Sequence, residues 1–256
     1  MCLYFRFNEC TLQINNLKSL ESVIRDSISL TELSLSRTNL GDTGVQIVSN
    51  FQTLLPNLKI IKLASVNMSD IGMVHLTESL THCKSVEDID LSSNAIGEKG
   101  RQSLIRLLMQ RRNFHAVNVC DCGFSMTSEE GKMFLSQLSK SPNLQKINLQ
   151  NMSLDDSSLL LLCQALPRLL SIRKLILSFN GIGDVNMAFL PNLKCLKKIK
   201  LSQCNISTVG GLNLATTLQQ CPLVEEIDLS GNNFENKTTS HLFTALSQVK
   251  HLKVLQ

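Results

Sequence analysis

The chain of 256 residues contains no tryptophan and only one tyrosine, beside ten phenylalanines. Because aromatic side chains are so few, leucine and isoleucine must fill most of the interior. With 43% apolar and 18% charged residues, the chain is apolar enough to fold around a large core. This composition excludes an intrinsically disordered protein.

Long apolar runs are also missing from the sequence. The longest run, residues 159–163, is far shorter than the roughly 20 residues that cross a bilayer. The first ten residues lack a basic segment followed by a sustained apolar stretch, so we expect neither a secretory signal nor a membrane anchor. The nine cysteines are an odd number without paired spacing. They fit reduced thiols in a cytosolic or nuclear protein.

The sequence lacks a large excess of charge of one sign. It has 25 Lys and Arg and 21 Asp and Glu, so the net charge is only +4, and the two signs are interleaved. This pattern argues against a nucleic-acid-binding arm, and we predict no sequence-specific nucleic-acid binding. The sequence has no G-x-S-x-G, H-E-x-x-H or G-x-x-x-x-G-K-[ST] motif. The spacing of Cys120 and Cys122 is compatible with a metal site. A zinc site, however, needs four converging ligands, and the repeat that contains these two cysteines has no second pair. We therefore predict no enzyme activity and no cofactor.

What the chain has in abundance is a repeat. The template L-x-x-L-x-L-x-x-[N/C]-x-L recurs, most clearly at Val86, Ile89, Leu91, Asn94 and Ile96. The first template positions are Cys2, Leu30, Leu58, Val86, Phe114, Leu144, Ile172, Leu196, Val224 and Leu252. The step is 28 residues except for one step of 30 after Phe114 and one of 24 after Ile172. We expect a local bend at each irregular step, and Pro191 limits helix length in the shorter one.

The periodicity changes within each repeat. Apolar residues alternate at template positions four and six, as at Leu33 and Leu35, which predicts a strand with one buried face. Helical spacing follows, as at Val45, Val48 and Phe51. We therefore predict an α/β fold, a ribonuclease-inhibitor-like leucine-rich-repeat solenoid of about nine repeats. Parallel strands would line the concave face of a horseshoe, with helices on its convex face.

Polar residues at fixed template positions predict local hydrogen bonds. Asparagine or cysteine at position nine is expected to bond the backbone of the turn, so the turns that carry Val66 and Met152 there should be the loosest. Helix caps are predicted at Asp42, Ser69 and Thr208, with glycines 44, 72, 100 and 210 in the first turns.

The concave face can be read from the sequence because side chains alternate along a strand. Five basic residues fall on it in the seventh and eighth repeats: Arg173, Lys174, Lys197, Lys198 and Lys200, with Lys146 one repeat earlier. Acidic residues flank them at Glu87, Asp88 and Asp90 and at Glu225, Glu226 and Asp228. Strands about 4.8 Å apart would crowd the cations. We therefore expect an acidic protein segment to bind there; the alternatives are neutralisation by the flanking acids and an ordinary solvated surface.

The repeats resemble those of ribonuclease inhibitor, Ran GTPase-activating protein and the NOD-like receptors. Stretches such as LTHCKSVEDIDLSSNAIGEKGRQSLIRLL look most similar to the repeat array of the class I MHC transactivator branch of the NOD-like receptors. This resemblance implies a regulator of innate immunity and class I MHC gene expression that acts through protein contacts in the cytoplasm and also in the nucleus. It implies no catalytic residue in these repeats.

Residues 1–256 are interpreted as a single repeat array. The chain begins within one template and ends within another, without the polar caps of natural solenoids, so we expect a fragment of a longer receptor without its nucleotide-binding and effector domains. Two other functions remain open. An enzyme inhibitor like ribonuclease inhibitor would need an acidic, aromatic-rich concavity, and a Ran GTPase-activating protein would need a committed catalytic arginine. The identity of the partner is not readable from the sequence.

Overall fold

The computed structural model describes residues 4–51, 54–184, 187, 193–235 and 239–256. The chain divides into two compact units, unit 1 (Met1–Phe124) and unit 2 (Ser125–Gln256). Within each unit, short parallel strands alternate with longer helices, as the two periodicities of the repeat predict.

Unit 1 contains five parallel strands and, among its described residues, four α-helices. The strands are β1 (Tyr4–Arg6), β2 (Glu32–Ser34), β3 (Ile60–Lys62), β4 (Asp88–Asp90) and β5 (Ala116–Asn118). The helices are α1 (Ile14–Arg25), α2 (Gly41–Phe51), α3 (Asp70–His82) and α4 (Glu98–Gln110). Each strand pairs with the next in chain order, and each helix packs against its neighbour.

Unit 2 has the same construction. Its strands are β6 (Lys146–Asn148), β7 (Lys174–Ile176), β8 (Lys198–Lys200), β9 (Glu226–Asp228) and β10 (Val254–Leu255). Its helices are α5 (Glu129–Leu138), α6 (Asp156–Ala165), α7 (Thr208–Leu218) and α8 (Thr239–Ser247), with a 3₁₀ turn at Leu166–Arg168. The strands again pair in parallel and in chain order. This confirms the predicted leucine-rich-repeat solenoid fold.

The register between neighbouring strands follows the spacing of the repeats in the sequence. Opposed residues on neighbouring strands are one repeat apart: Leu33 faces Ile61, and Lys174 faces Lys198 across the 24-residue step. The return segment of that shorter repeat lies mostly outside the described residues, which leave out 185, 186 and 188–192, and with them Pro191.

The core consists of the apolar template positions. Leu91 and Leu177, both at position six, are fully buried. The helical residues Val45, Val48 and Phe51 are fully buried as well, so each helix covers one face of its sheet. Side chains at positions two, three and five lie on the other face, which we call the open face.

The helix caps differ from the predictions at two of three positions. Ser69 caps α3 as expected, accepting a hydrogen bond from the Ile71 amide. Asp42, however, lies inside α2, and Thr208 is the first residue of α7, whose cap is Ser207. The prediction placed these caps on their own helices, whereas the structure uses acidic side chains to cap the helix of the next repeat.

Asp42 shows how this inter-repeat cap works. Its carboxylate accepts hydrogen bonds from the amides of Ser69 and Gly72, at the start of α3. Burial alone would raise the pKa of Asp42, but the hydrogen bond from the Ser69 hydroxyl, together with the two backbone bonds, holds it below its ordinary value. Glycine is required opposite, because a Cβ on Gly72 would lie 2.6 Å from Asp42 Oδ1. Asp70 bonds the Gly100 amide in the same way.

Asparagine at position nine links neighbouring repeats. The Asn94 side chain donates to Leu63 and Leu91 carbonyls and accepts from the amides of Val66 and Met68. Asn180 bonds the turn that contains Met152 in the same manner. The turns of Val66 and Met152 were expected to be the loosest, but each is held by the amide of the following repeat.

Candidate protein-binding face

The predicted basic residues lie together on the open face of unit 2. Lys146, Lys174 and Lys198 occupy one row, since Lys146 pairs in register with Lys174 and Lys174 with Lys198. Lys200 lies beside Ile176 in the next row. Arg173 and Lys197 directly precede β7 and β8. The Arg173 amide donates to the Gln145 carbonyl, and the Lys197 amide donates to the Arg173 carbonyl. The sheet therefore brings all the predicted cations onto neighbouring strands.

The acidic residues of β9 continue the same rows. Glu226 lies opposite Lys198, and Asp228 lies opposite Lys200. Lys198 Nζ is 2.6 Å from Glu226 Oε2, and Lys200 Nζ is 3.5 Å from Glu226 Oε1 and 3.8 Å from Asp228 Oδ2. Two of the five predicted residues are thus neutralised from one side.

Glu225 forms a third set of contacts at the edge of these rows. Its carboxylate lies 3.5 Å from Lys197 Nζ and 3.0 Å from Lys253 Nζ. The sequence analysis did not single out Lys253, although its template position, the second of the last repeat, could have identified it. Three predicted cations therefore already contact acids: Lys198 and Lys200 contact those of β9, and Lys197 contacts Glu225 directly before it.

Of the six basic residues predicted on this face, three form no ion pair with any part of the chain that the structure describes: Lys146, Arg173 and Lys174. We call them the unpaired cluster. Burial lowers the pKa of Lys174, and the neighbouring charges of Lys146, Lys200 and Lys198 lower it further. In contrast, the hydrogen bond to Glu226 raises the pKa of Lys198. The two lysines face each other across one strand pair, yet their electrostatic surroundings are opposite.

The open face of unit 1 has a different arrangement of charges. Glu32 accepts two hydrogen bonds from Arg6, at 3.1 and 2.8 Å, and a third from Lys62 at 2.8 Å. Glu87 lies 3.0 Å from His115 Nδ1 and 3.9 Å from Lys59 Nζ. Glu32 and Glu87 therefore each lie between two basic side chains, one from each neighbouring repeat.

The position-nine thiols are structural. Cys122 Sγ is buried and lies 3.0 Å from the Leu91 carbonyl oxygen, to which it donates. Burial raises the pKa of Cys122 to about 12, so it stays protonated at neutral pH. Cys204 is similar: it donates to the Leu177 carbonyl, and burial raises its pKa to about 11. Cys122 and Cys204 therefore make the backbone hydrogen bonds that were predicted for cysteine at position nine.

Comparison with known proteins agrees with this architecture. The family model described as Leucine Rich repeat matches residues 26–46, 82–104, 169–185 and 192–215. Ribonuclease inhibitor of Sus scrofa is 26% identical over 95% of this chain and 61% of its own length. Protein NLRC5 of Ictalurus punctatus is 31% identical over 67% of this chain and 10% of its own length. Human NACHT, LRR and PYD domains-containing protein 13 is 28% identical over 62% of this chain and 15% of its own length.

The fold and the matched segments define a leucine-rich-repeat protein, and such proteins act as protein-interaction scaffolds. Among proteins of this class, the relatives support the leucine-rich-repeat region of a NOD-like receptor. The chain spans between about a tenth and about three fifths of the length of the relatives named above. In the part of the chain that the structure describes, every helix is too short or too polar to cross a membrane.

Proposed function

We propose that the chain is a non-catalytic interaction scaffold of a NOD-like receptor, and that the open face of unit 2 binds an acidic segment of a partner protein. The observation that supports this proposal is the segregation of charge on that face. Bases occupy β6, β7 and β8, and acids occupy β9. Ion pairing is confined to the β8–β9 boundary, so among the described residues the unpaired cluster has no acidic side chain in ion-pair contact.

The physical argument concerns like charges on neighbouring strands. Lys146 and Lys174 lie about 4.8 Å apart between strand axes, well within a Debye length of about 8 Å, so their repulsion is poorly screened. A carboxylate placed between them would relieve this repulsion. Exposed ion pairs contribute only about 0.2 to 1 kcal/mol each. Several ion pairs must therefore act together. Arg173, and Lys197 in the neighbouring repeat, extend the basic surface beyond Lys146 and Lys174.

The paired lysines have a secondary role in this proposal. Lys198 and Lys200 contact Glu226 and Asp228, so their charges are largely compensated and they add less to the attraction of a ligand. All five predicted residues belong to the binding face, and Lys146, Arg173 and Lys174 should contribute most of the affinity.

For the cellular role, we propose regulation of innate immunity and of class I MHC gene expression, in the cytoplasm and in the nucleus, as part of a longer receptor. Support comes from the resemblance of the repeats and from relatives named NLRC5 and NACHT, LRR and PYD domains-containing proteins. The free thiols of the eight cysteines in the described residues suit a reducing compartment.

The binding face is tested with a fluorescein-labelled oligo-glutamate peptide. Replacing Lys146, Arg173 and Lys174 by glutamine together should weaken the peptide's affinity at least about tenfold in fluorescence anisotropy, because three contacts of about 0.5 kcal/mol each are lost. Affinity for the wild-type chain should fall steeply between about 0.05 and about 0.5 M salt.

The matched control removes the same charge from unit 1. Replacing Arg37, Lys59 and Lys62 by glutamine should leave peptide affinity within about twofold of wild type. Equal losses in the two triple variants would mean that only net charge matters, and the proposal would be wrong. A short DNA duplex is a further probe, and we expect it to bind more weakly than the peptide because the acids of β9 repel a continuous phosphate backbone. If the duplex bound more tightly than the peptide, the ligand of this face would be a nucleic acid and the proposed acidic protein segment would be wrong.

A second candidate is an enzyme inhibitor of the ribonuclease-inhibitor type. It is favoured by one observation, the match to ribonuclease inhibitor of Sus scrofa over 95% of this chain. The basic open face of unit 2 speaks against it, since a ribonuclease is itself cationic. Titrating the chain into a pancreatic ribonuclease assay decides the matter: stoichiometric inhibition would favour this candidate over the receptor scaffold.

A further inference from the structure

Template position eight has the same backbone conformation in every repeat whose position eight is described. Its residues have positive φ: Glu9, Arg37, Ser65, Ser93, Asp121, Asn151, Phe179, Gln203 and Gly231. All except Phe179 are polar side chains or glycine. Left-handed backbone is disfavoured for bulky side chains, and Asn, Asp and Gly adopt it most readily. Phe179, with φ of 60°, is therefore the residue least suited to its position.

Burial does not compensate for this unfavourable backbone. The Phe179 side chain stays 53% exposed at the end of β7, and its amide donates to the Ser202 carbonyl as part of the regular ladder. Its neighbours at position eight in the adjacent repeats are Asn151 and Gln203, both polar. Aromatic side chains are enriched at protein interfaces, so a ring that contributes little to the fold is available to bind a partner.

Phe179 lies on the same strand path as the unpaired cluster. It follows Lys174 by five residues, at most about 16 Å. It lies three residues after β7 ends, and its left-handed backbone departs from the alternation of the strand. The open-face side chains between them are almost completely covered, with Ile176 8% and Ser178 2% exposed. A ligand lying along β7 would thus meet cations at one end and an aromatic ring at the other, with little exposed surface between.

We infer that the ligand of this face is an acidic segment that also carries an apolar side chain about five residues from its carboxylates, and that Phe179 binds that side chain. The inference rests on the proposed function and adds the kind of partner to it. Charge complementarity selects the acidic part, and the exposed ring selects the apolar part.

The test uses two labelled peptides of eleven residues. Both have three central glutamates flanked by serines, and in one of them phenylalanine replaces the serine at each end, five residues from the central glutamate, so that either chain direction can dock. The wild-type chain should bind the phenylalanine peptide about fivefold more tightly than the serine peptide, since roughly half of a ring becomes buried.

Phe179→Ser should remove this preference and leave the affinity for the serine peptide unchanged. Serine is compatible with the backbone, because Ser65 and Ser93 occupy the same template position with φ of 53° and 55°. The matched control is Phe243→Ser, which removes a ring that is 56% exposed on α8 and should keep the preference intact.

A stability measurement separates binding from packing. Phe179→Asn should also lose the preference, while its melting temperature stays at or above that of the wild type, because asparagine tolerates positive φ. A melting temperature several degrees lower would show that the ring serves the fold, and the inference would be wrong. If both peptides bound with equal affinity and in a salt-sensitive manner, the inference about Phe179 would be wrong, but the proposed function would stand. If neither peptide responded to neutralising the unpaired cluster, the proposed function would fail and the inference with it.

Discussion

The two units present the same backbone face with charges in a different order. In unit 1, acids and bases alternate between strands, so that Glu32 on β2 is bonded by Arg6 on β1 and Lys62 on β3. In unit 2, three successive strands carry bases and the fourth carries acids. Alternation neutralises a face internally, whereas segregation confines pairing to one boundary. Two features therefore distinguish the faces: the open face of unit 2 carries an excess of bases, and its acids are confined to one side of them.

The difference appears in the acid–base behaviour of single residues. The hydrogen bond from Arg6 lowers the pKa of Glu32 despite the opposing effect of burial, and Lys62 adds to it. Glu32 therefore stabilises the folded chain when ionised. The charge of Lys174 is opposed by burial and by its lysine neighbours. Protonation of Lys174 is therefore less favourable in the folded chain than in the unfolded chain.

The largest expected effect tests whether the two units differ only on their surfaces. Leu91→Ala in unit 1 and Leu177→Ala in unit 2 each empty a fully buried site, and each should lower the free energy of unfolding by about 2 to 5 kcal/mol. Urea denaturation measures both. Leu170→Ala, at a side chain that is 76% exposed, is the control and should cost less than about 0.5 kcal/mol. A loss that small at Leu91 or Leu177 would contradict the assigned packing.

The asparagine positions should again give equal effects in the two units. Asn94→Ala and Asn180→Ala each remove a buried amide that makes five hydrogen bonds with the backbone. Each should cost about 2 kcal/mol or more, because buried amides and carbonyls lose their partners. Asn143→Ala, in an exposed turn, should be nearly neutral in the same denaturation experiment. Unequal losses at Asn94 and Asn180 would show that the repeats are not equivalent.

Acidification should reveal the internal neutralisation of unit 1. Glu32 has a lowered pKa in the folded chain, so its stabilisation is present above the unfolded value of about 4.3 and is lost as pH falls through the folded pKa. Glu32→Gln should therefore cost about 1 kcal/mol at pH 7 and progressively less between about pH 5 and about pH 3. Glu21→Gln, in an exposed pair with Arg25, should cost about 0.3 kcal/mol. A constant difference between wild type and Glu32→Gln across that range would contradict the ion-pair assignment.

The smallest effect is the sharpest contrast, because the same substitution should change stability in opposite directions. Lys62→Met removes a partner of Glu32 and should lower the free energy of unfolding by about 0.5 kcal/mol. Lys174→Met removes a cation opposed by Lys146, Lys198 and Lys200, and should raise it by up to about 0.5 kcal/mol. The Lys174 gain should vanish above about pH 10.5, where lysine loses its charge in both states. Shifts of the same sign at pH 7 would remove the distinction between the two faces.

Much of the fold could be predicted from single residues. The step between first template positions located every strand, including the 30- and 24-residue irregularities that separate β5 from β6 and β7 from β8. The caps were predicted less well. Asp42 was assigned to its own helix because local capping rules consider one helix at a time, whereas its carboxylate reaches Ser69 in the next repeat.

The sequence predicted which basic residues form the candidate site, but it did not predict which of them form ion pairs. The sequence predicted Arg173, Lys174, Lys197, Lys198 and Lys200 on one face. Lys174, Lys198 and Lys200 lie on the paired strands β7 and β8, and Arg173 and Lys197 directly precede these strands. Which lysines pair depends on side-chain reach across strands, which the sequence does not contain. Phe179 was overlooked because its significance lies in a backbone conformation shared by all position-eight residues, and that becomes visible only in three dimensions.

The sequence by itself determined the repeat, the parallel order of strands within each unit, the buried leucines and the face on which the cations lie, because periods of two and about 3.6 residues fix which side chains share a face. The tertiary structure alone decided which charges neutralise each other, why Gly72 must be glycine opposite Asp42, and why Asn94 holds the turn of Val66. These features join residues about one repeat apart in sequence. Only the stacking of repeats brings such residues within hydrogen-bonding distance.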